Sequence, residues 1–210
     1  MTISRLSRPK IEKLTQQHLE RMNIGKRYWG ASLSSVDEAT AHGRVARKYL
    51  SQIDLMAARG VGMYLWGDNS RGKTYSACAL LKAVYQSGYT TYCVMADQLR
   101  SIYIDRSMFD PEISVVQRVE QVEVLLIEDL GKEYSGKGSG WAELCFENLL
   151  RKRTRELKPT FITTNLSPSA FKERYKESAQ AICLEGMIAC QVRGIDHRKK
   201  IQSELQEMVR

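Results

Sequence analysis

The chain has 210 residues, 43% of them hydrophobic and 27% charged, and its basic residues exceed its acidic ones by 32 − 24 = 8. That size suits one α/β domain with small additions, and a pI of about 9.3 suits a polyanionic partner such as nucleic acid. No apolar run reaches the roughly 18 residues of a membrane span, and the N-terminus lacks the apolar core of a signal peptide.

Residues 1–30 read as a short basic extension, and residues 31–210 as the main domain. Within the extension, Ile11, Leu14, His18, Leu19 and Met22 share a face and predict a helix over Pro9–Met22. A helix that short is marginal alone, so it needs to dock, either on its own domain or on a partner. Gly25–Ser35 is a turn-rich connection, and Val36–Ala57 reads as one helix. Val61–Trp66 is an apolar strand. Thr74–Gln86 has helical periodicity, and Thr90–Met95 is a second strand. Ala96–Ile104 and Pro111–Gln121 read as helical, and Val122–Ile127 as a third strand. Ser135–Gly140 is a flexible loop before an amphipathic helix, Trp141–Leu157. Thr160–Thr164 and Ile188–Val192 complete the strands. Strands alternating with helices predict an α/β fold with a mainly parallel five-stranded sheet between helices.

The most informative segment is Gly67-Asp68-Asn69-Ser70-Arg71-Gly72-Lys73-Thr74. It fits G-x-x-x-x-G-K-[ST], the P-loop, and it lies between a strand and a helix, as that motif requires. The backbone N–H groups of such a loop wrap phosphate oxygens, and the following helix adds its positive end. Lys73 reaches the β- and γ-phosphates, and the Thr74 hydroxyl ligates Mg²⁺. The expected ATP-binding set is Gly67, Asp68, Asn69, Ser70, Arg71, Gly72, Lys73, Thr74 and Tyr75.

Val124-Leu125-Leu126-Ile127-Glu128-Asp129 is a buried strand that ends in two acids. Beside a P-loop this is a Walker B pattern. Glu128 takes the Mg²⁺ position, and Asp129 the position that orients or deprotonates the attacking water. The usual residue at the first position is Asp, so Glu128 is a departure whose extra methylene alters the metal contact. Phe161-Ile162-Thr163-Thr164-Asn165 ends a third strand in a neutral amide. Asn165 either senses the γ-phosphate and the lytic water or caps a helix that starts near Ser167-Pro168. Lys73, Glu128, Asp129 and Asn165 are thus the candidate catalytic residues. The five cysteines form no C-x-x-C pair and do not group with the three histidines. A structural zinc site is not expected from that spacing, and core cysteines fit a reducing cytoplasm.

These three elements, in this order and spacing, resemble the AAA+ ATPases of the DnaC-type helicase loader and IstB-type transposition helper group. The likeness runs from about Tyr28 to Arg198. It rests chiefly on Trp66-Gly67 through Thr74, on Leu125 through Gly131, and on Lys158 through Ser167, with further likeness at Ala96-Asp97-Gln98-Leu99 and Tyr28 through Leu33. Gly194-Ile195-Asp196-His197-Arg198 is similar to the group's C-terminal motif, in which Arg198 would contact ATP. The resemblance implies a cytoplasmic, bacterial or phage-encoded ATPase that needs Mg²⁺, oligomerises with nucleotide and binds single-stranded DNA. Its client would be a hexameric replicative helicase or a transposase. A P-loop kinase of small molecules is the remaining alternative from another class.

The family's arginine finger has no clear match. Aligning Glu177–Gly186 places Ile182 at that point, and Arg174 and Arg193 are the nearest substitutes. Hydrolysis is therefore expected to be slow or partner-dependent. Candidate DNA contacts are Arg151, Lys152, Arg153 and Arg155 on one helix, Lys132 and Lys137 in the loop, and Lys199 and Lys200 in the tail; each could equally belong to a solvated charged face.

Overall fold

Five parallel strands form one sheet in the order β2-β3-β4-β1-β5. In this computed structural model, which describes residues 8–99, 113–131, 139–175, 177–194, 202–203 and 206–208, they are β1 (Gly62–Trp66), β2 (Thr91–Met95), β3 (Val124–Leu130), β4 (Thr160–Thr164) and β5 (Met187–Gln191). All four pairings are parallel. Both faces of the sheet are covered, which is why the strands are almost continuously apolar.

Alternate strand residues feed opposite faces. Met63, Leu65, Cys93, Leu126 and Phe161 pack on one side with Ala77, Leu80, Leu81 and Val84 of the helix Lys73–Gln86. Tyr64, Val94, Leu125, Ile127 and Ile162 pack on the other with Phe146, Leu149, Leu150 and Phe171. The second face is built by the helices Ile113–Gln121, Ser139–Arg155, Pro168–Arg174 and Glu177–Gly186.

Most strand boundaries fall within a residue or two of expectation. Three expectations change, and a fourth is tested only in part. The Pro9–Met22 helix is only Gln16–Arg21, because the Thr15 hydroxyl accepts from His18 N–H, and His18 Nδ1 in turn accepts from Thr15 N–H. The Val36–Ala57 helix begins at Ala41, where the Thr40 hydroxyl accepts from Gly43 N–H, and it breaks at Gln52 into Ala41–Ser51 and Ile53–Ala58. Ser139 and Gly140 belong to the following helix and not to the loop, whose residues 132–138 lie outside the described ones. Residues 96–99 are helical, and the rest of the expected Ala96–Ile104 helix lies outside the described residues.

The first 30 residues, where described, are built into the domain. Met22 and Ile24 are buried in the first core. Cys93 N–H donates to Met22 O at 2.9 Å and Asn23 Nδ2 donates to Cys93 O at 2.8 Å. These bonds occupy the open edge of β2, which an edge strand otherwise offers to another chain. Lys82, buried on the P-loop helix, donates to Ala31 O at 2.6 Å and to Trp29 O. Burial lowers its pKa, and the two carbonyls are what keep the ammonium solvated there.

Arg153 is corrected as a DNA contact. It is fully buried and donates to Thr160 Oγ1, Val119 O, Val122 O, Glu123 O and Pro159 O at 2.8–3.2 Å. It fastens the helix Ser139–Arg155 to the entries of β3 and β4. On the same helix Arg151 pairs with Glu147 at 2.9 Å and Lys152 with Glu120 at 2.5 Å. Arg153→Met is expected to cost at least about 3 kcal/mol in urea unfolding, since several buried carbonyls lose their donor at about 1–3 kcal/mol each; unchanged stability would refute this structural role.

Candidate functional site

Strand order decides what meets at the carboxyl edge of the sheet. β4 lies between β1 and β3, and Thr164 is in register with both Trp66 and Leu130. The P-loop that follows Trp66, the acids of β3 and Asn165 therefore open on one edge, where ligands bind in open α/β sheets.

Glycine is required twice in the loop. Gly67 has φ +146° and a Cβ there would stand 2.6 Å from Val192 O. Gly72 has φ +90° and is the N-cap of the P-loop helix. Ser70 also takes a left-handed backbone, with φ +61°. Asp68 and Asn69 are exposed, whereas Ser70, Arg71, Thr74 and Tyr75 are half-buried. Tyr75 packs against the first core. Arg71 donates to Gly194 O at 2.6 Å and so ties the loop to the segment after β5.

Lys73 is 6% exposed, and its Nζ donates to Gly67 O at 2.8 Å, Asp68 O at 2.7 Å and Asn165 Oδ1 at 2.8 Å. The ammonium is thus poised at the loop's centre with acceptors on three sides. Asn165 is exposed and does not cap the next helix. That cap is Ser167, whose hydroxyl accepts from Ala170 N–H at 3.2 Å.

β3 carries a bulge between the two acids and β4. Ile127 pairs with Ile162 and Leu130 with Thr164, so three steps on β3 face two on β4. Asp129 absorbs the extra residue with φ +57°, a conformation L-residues other than Asn, Asp and Gly rarely take. Its N–H, displaced from the ladder, donates to Thr163 Oγ1 at 3.1 Å. The bulge falls at the two acids, one residue before the strand rejoins the ladder at Leu130.

Glu128 lies on the P-loop helix face. Its Oε1 accepts from Cys93 Sγ at 2.8 Å and from Cys78 Sγ at 3.5 Å. Burial raises its pKa, the two thiol bonds pull the other way, and the Asp129 charge adds to the rise. The Tyr28 hydroxyl is hydrogen-bonded with the Thr74 side chain, and its pKa is raised, chiefly by burial, with the Glu128 charge adding to the rise. Sequence reasoning missed Tyr28, Cys78 and Cys93 at this site. One local signal was available: Cys78 lies four residues beyond Thr74, on the same helical face.

The residues fit a bound nucleotide. The loop has glycines at two positive-φ positions, one of them where a Cβ would meet Val192 O, a buried lysine between them and Asn165, and the Glu128 carboxylate on the face of the helix that follows. Lys73, Thr74 and Glu128 would hold the phosphates and Mg²⁺. Arg198, Lys132, Lys137, Lys199 and Lys200 lie outside the described residues. Ile182 is half-buried against the second core. Arg174 donates to Gly131 O at 2.7 Å, and Arg193 Nε donates to Gln191 Oε1 at 2.7 Å.

The crystal structure of the DnaC helicase loader superposes with a TM-score of 0.71, covering 80% of this chain and all of that one, at 23% identity. The likeness is one of fold: the chain folds as the DnaC helicase loader does. A crystal structure of DnaI matches this chain with a TM-score of 0.67 over 82% of it and 96% of DnaI, at 22% identity. The replication initiator DnaA, bound to AMPPCP and single-stranded DNA, matches with a TM-score of 0.64 over 87% of this chain and 56% of DnaA, at 15% identity. In sequence, the chain is 24% identical over 125 residues to the replicative helicase loader DnaI of Bacillus subtilis, a match that covers 57% of this chain and 38% of that protein. No protein-family model matches. No helix among the described residues is long and apolar enough to cross a membrane.

Thr163→Val removes the acceptor for the displaced Asp129 N–H. It is expected to lower stability by about 1–3 kcal/mol without changing nucleotide affinity. A variant as stable as the parent would show that the hydroxyl does not hold the bulge.

Proposed function

We propose that this AAA+ chain is an ATP-dependent helicase loader of DNA replication, working in the cytoplasm of a bacterium or of a phage's bacterial host. The observation that carries the reading is the convergence at one sheet edge of the buried Lys73 ammonium, the Asn165 amide and the bulged Glu128-Asp129 pair. The likeness in fold to DnaC and DnaI, and in sequence to DnaI, supports the helicase loader over a transposition helper.

Bound MgATP supplies the reacting phosphoanhydride and the cation that neutralises its oxygens. The chain's own residues do the rest. The loop N–H groups and Lys73 hold the phosphates, so Lys73 exchanges loop carbonyls for phosphate oxygens. Thr74 and Glu128 hold the Mg²⁺ shell. Asp129 orients and deprotonates water, and Asn165, already on Lys73, reports the γ-phosphate to the β4 edge. Arg174 donates to Gly131 O within its own chain, and the same bond recurs in every copy, so an arginine from the client would complete the site and make turnover partner-dependent. Single-stranded DNA is the polyanion that the net charge suits, with the exposed Arg151, Lys152 and Arg155 as contacts.

Lys73→Ala is expected to abolish ATP binding, measured by titration of a fluorescent analogue. Asp129→Asn is expected to keep binding and to lower phosphate release by about 10²–10⁴. Retained affinity in the first, or unchanged turnover in the second, would refute the assigned roles. The loader reading itself is tested by pull-down of the full chain with an ATP analogue and with ADP. Capture of a hexameric replicative helicase in one nucleotide state is the expected result, and no helicase contact in either state overturns it.

A further inference from the structure

Two cysteines that lie 15 positions apart in sequence meet at the first acid of β3. Cys78, on the P-loop helix, and Cys93, on β2, are 0% and 3% exposed. Their sulfurs lie 3.5 Å and 2.8 Å from Glu128 Oε1, and the three atoms lie within 4.8 Å of one another. Around a tetrahedral cation, two sulfurs at about 2.3 Å and an oxygen at about 2.0 Å stand roughly 3.5–3.8 Å apart. Cys78 and Glu128 already have that separation, and the Cys93–Glu128 contact needs to open by only about 0.7 Å.

We propose that Cys78, Cys93 and Glu128 form a binding site for a thiophilic divalent cation of the zinc class, sharing Glu128 with the nucleotide site. Two thiolates select such a cation over Mg²⁺, which takes hard oxygen ligands. Binding releases both thiol protons to solvent and replaces the two S–H···O bonds by metal–sulfur bonds. The longer Glu side chain, in place of the usual Asp, is what brings this carboxylate oxygen to the two sulfurs. A cation there holds Glu128 away from the Mg²⁺ shell and so brakes hydrolysis. That consequence rests on the ATPase reading, whereas cation binding does not. The competing arrangement is two core thiols that simply solvate a buried carboxylate.

The full chain, reduced and stripped with a chelator, is titrated with Co²⁺. The expected result is a sulfur-to-cobalt charge-transfer band that saturates at one equivalent, is displaced by Zn²⁺, and is lost in Cys78→Ala and in Cys93→Ala. No band in the parent chain, or a band that survives either substitution, overturns the proposal. Should a variant not fold, X-ray absorption of the zinc-loaded parent chain decides. Two sulfurs at about 2.3 Å with lighter atoms at about 2.0 Å support the site, and a shell without sulfur refutes it. Glu128→Gln keeps both thiols and is expected to weaken Co²⁺ binding; unchanged affinity refutes the carboxylate's part. Each readout is made without ATP, so absent hydrolysis would refute the ATPase reading and leave these outcomes standing.

Discussion

A buried ammonium has to be hydrogen-bonded on every open side, and the site is arranged around that requirement at Lys73. Two of its acceptors come from the loop itself and the third from Asn165 on β4. The lysine therefore links the loop after β1 to the end of β4. A sheet in which β4 did not lie beside β1 would leave this charge short of a partner, at a cost of several kcal/mol. The requirement reaches further, since Gly67 must pass within van der Waals contact of Val192 at the end of β5.

A second buried lysine does comparable work away from the site. Lys82 fastens the Trp29–Ala31 carbonyls to the P-loop helix, while Met22 and Asn23 cover the β2 edge. The segment that sequence patterning separates as an extension thus closes an edge and positions Tyr28 against Thr74. Any partner that docks on the first 30 residues would press directly on a segment in contact with the nucleotide loop.

The bulge at Asp129 shows how strain is placed. A left-handed aspartate is uncommon, and it persists here because Thr163 accepts the displaced N–H and Leu130 resumes the ladder with Thr164. Arg153 makes the opposite point: a charge that reads as surface is spent on internal carbonyls, because the starts of β3 and β4 need a donor there.

The P-loop, the acidic strand end and the Thr-Thr-Asn strand end were legible because each is contiguous and carries its own structural context. The alternation of strand and helix was legible for the same reason, and the five-stranded parallel sheet follows from it. Helix ends at Thr15, Thr40 and Gln52 were not, since a cap acts through one hydrogen bond that leaves the apolar period unchanged. The Cys78–Cys93–Glu128 cluster was hidden because its members lie on three separate elements, and linear spacing suggested no metal site. By itself, then, the sequence determined that a glycine loop with the P-loop pattern and two carboxylates exist on a parallel α/β frame. Only the tertiary structure decided which side chains meet there, because strand order is set by packing of both faces at once and not by any local run of residues.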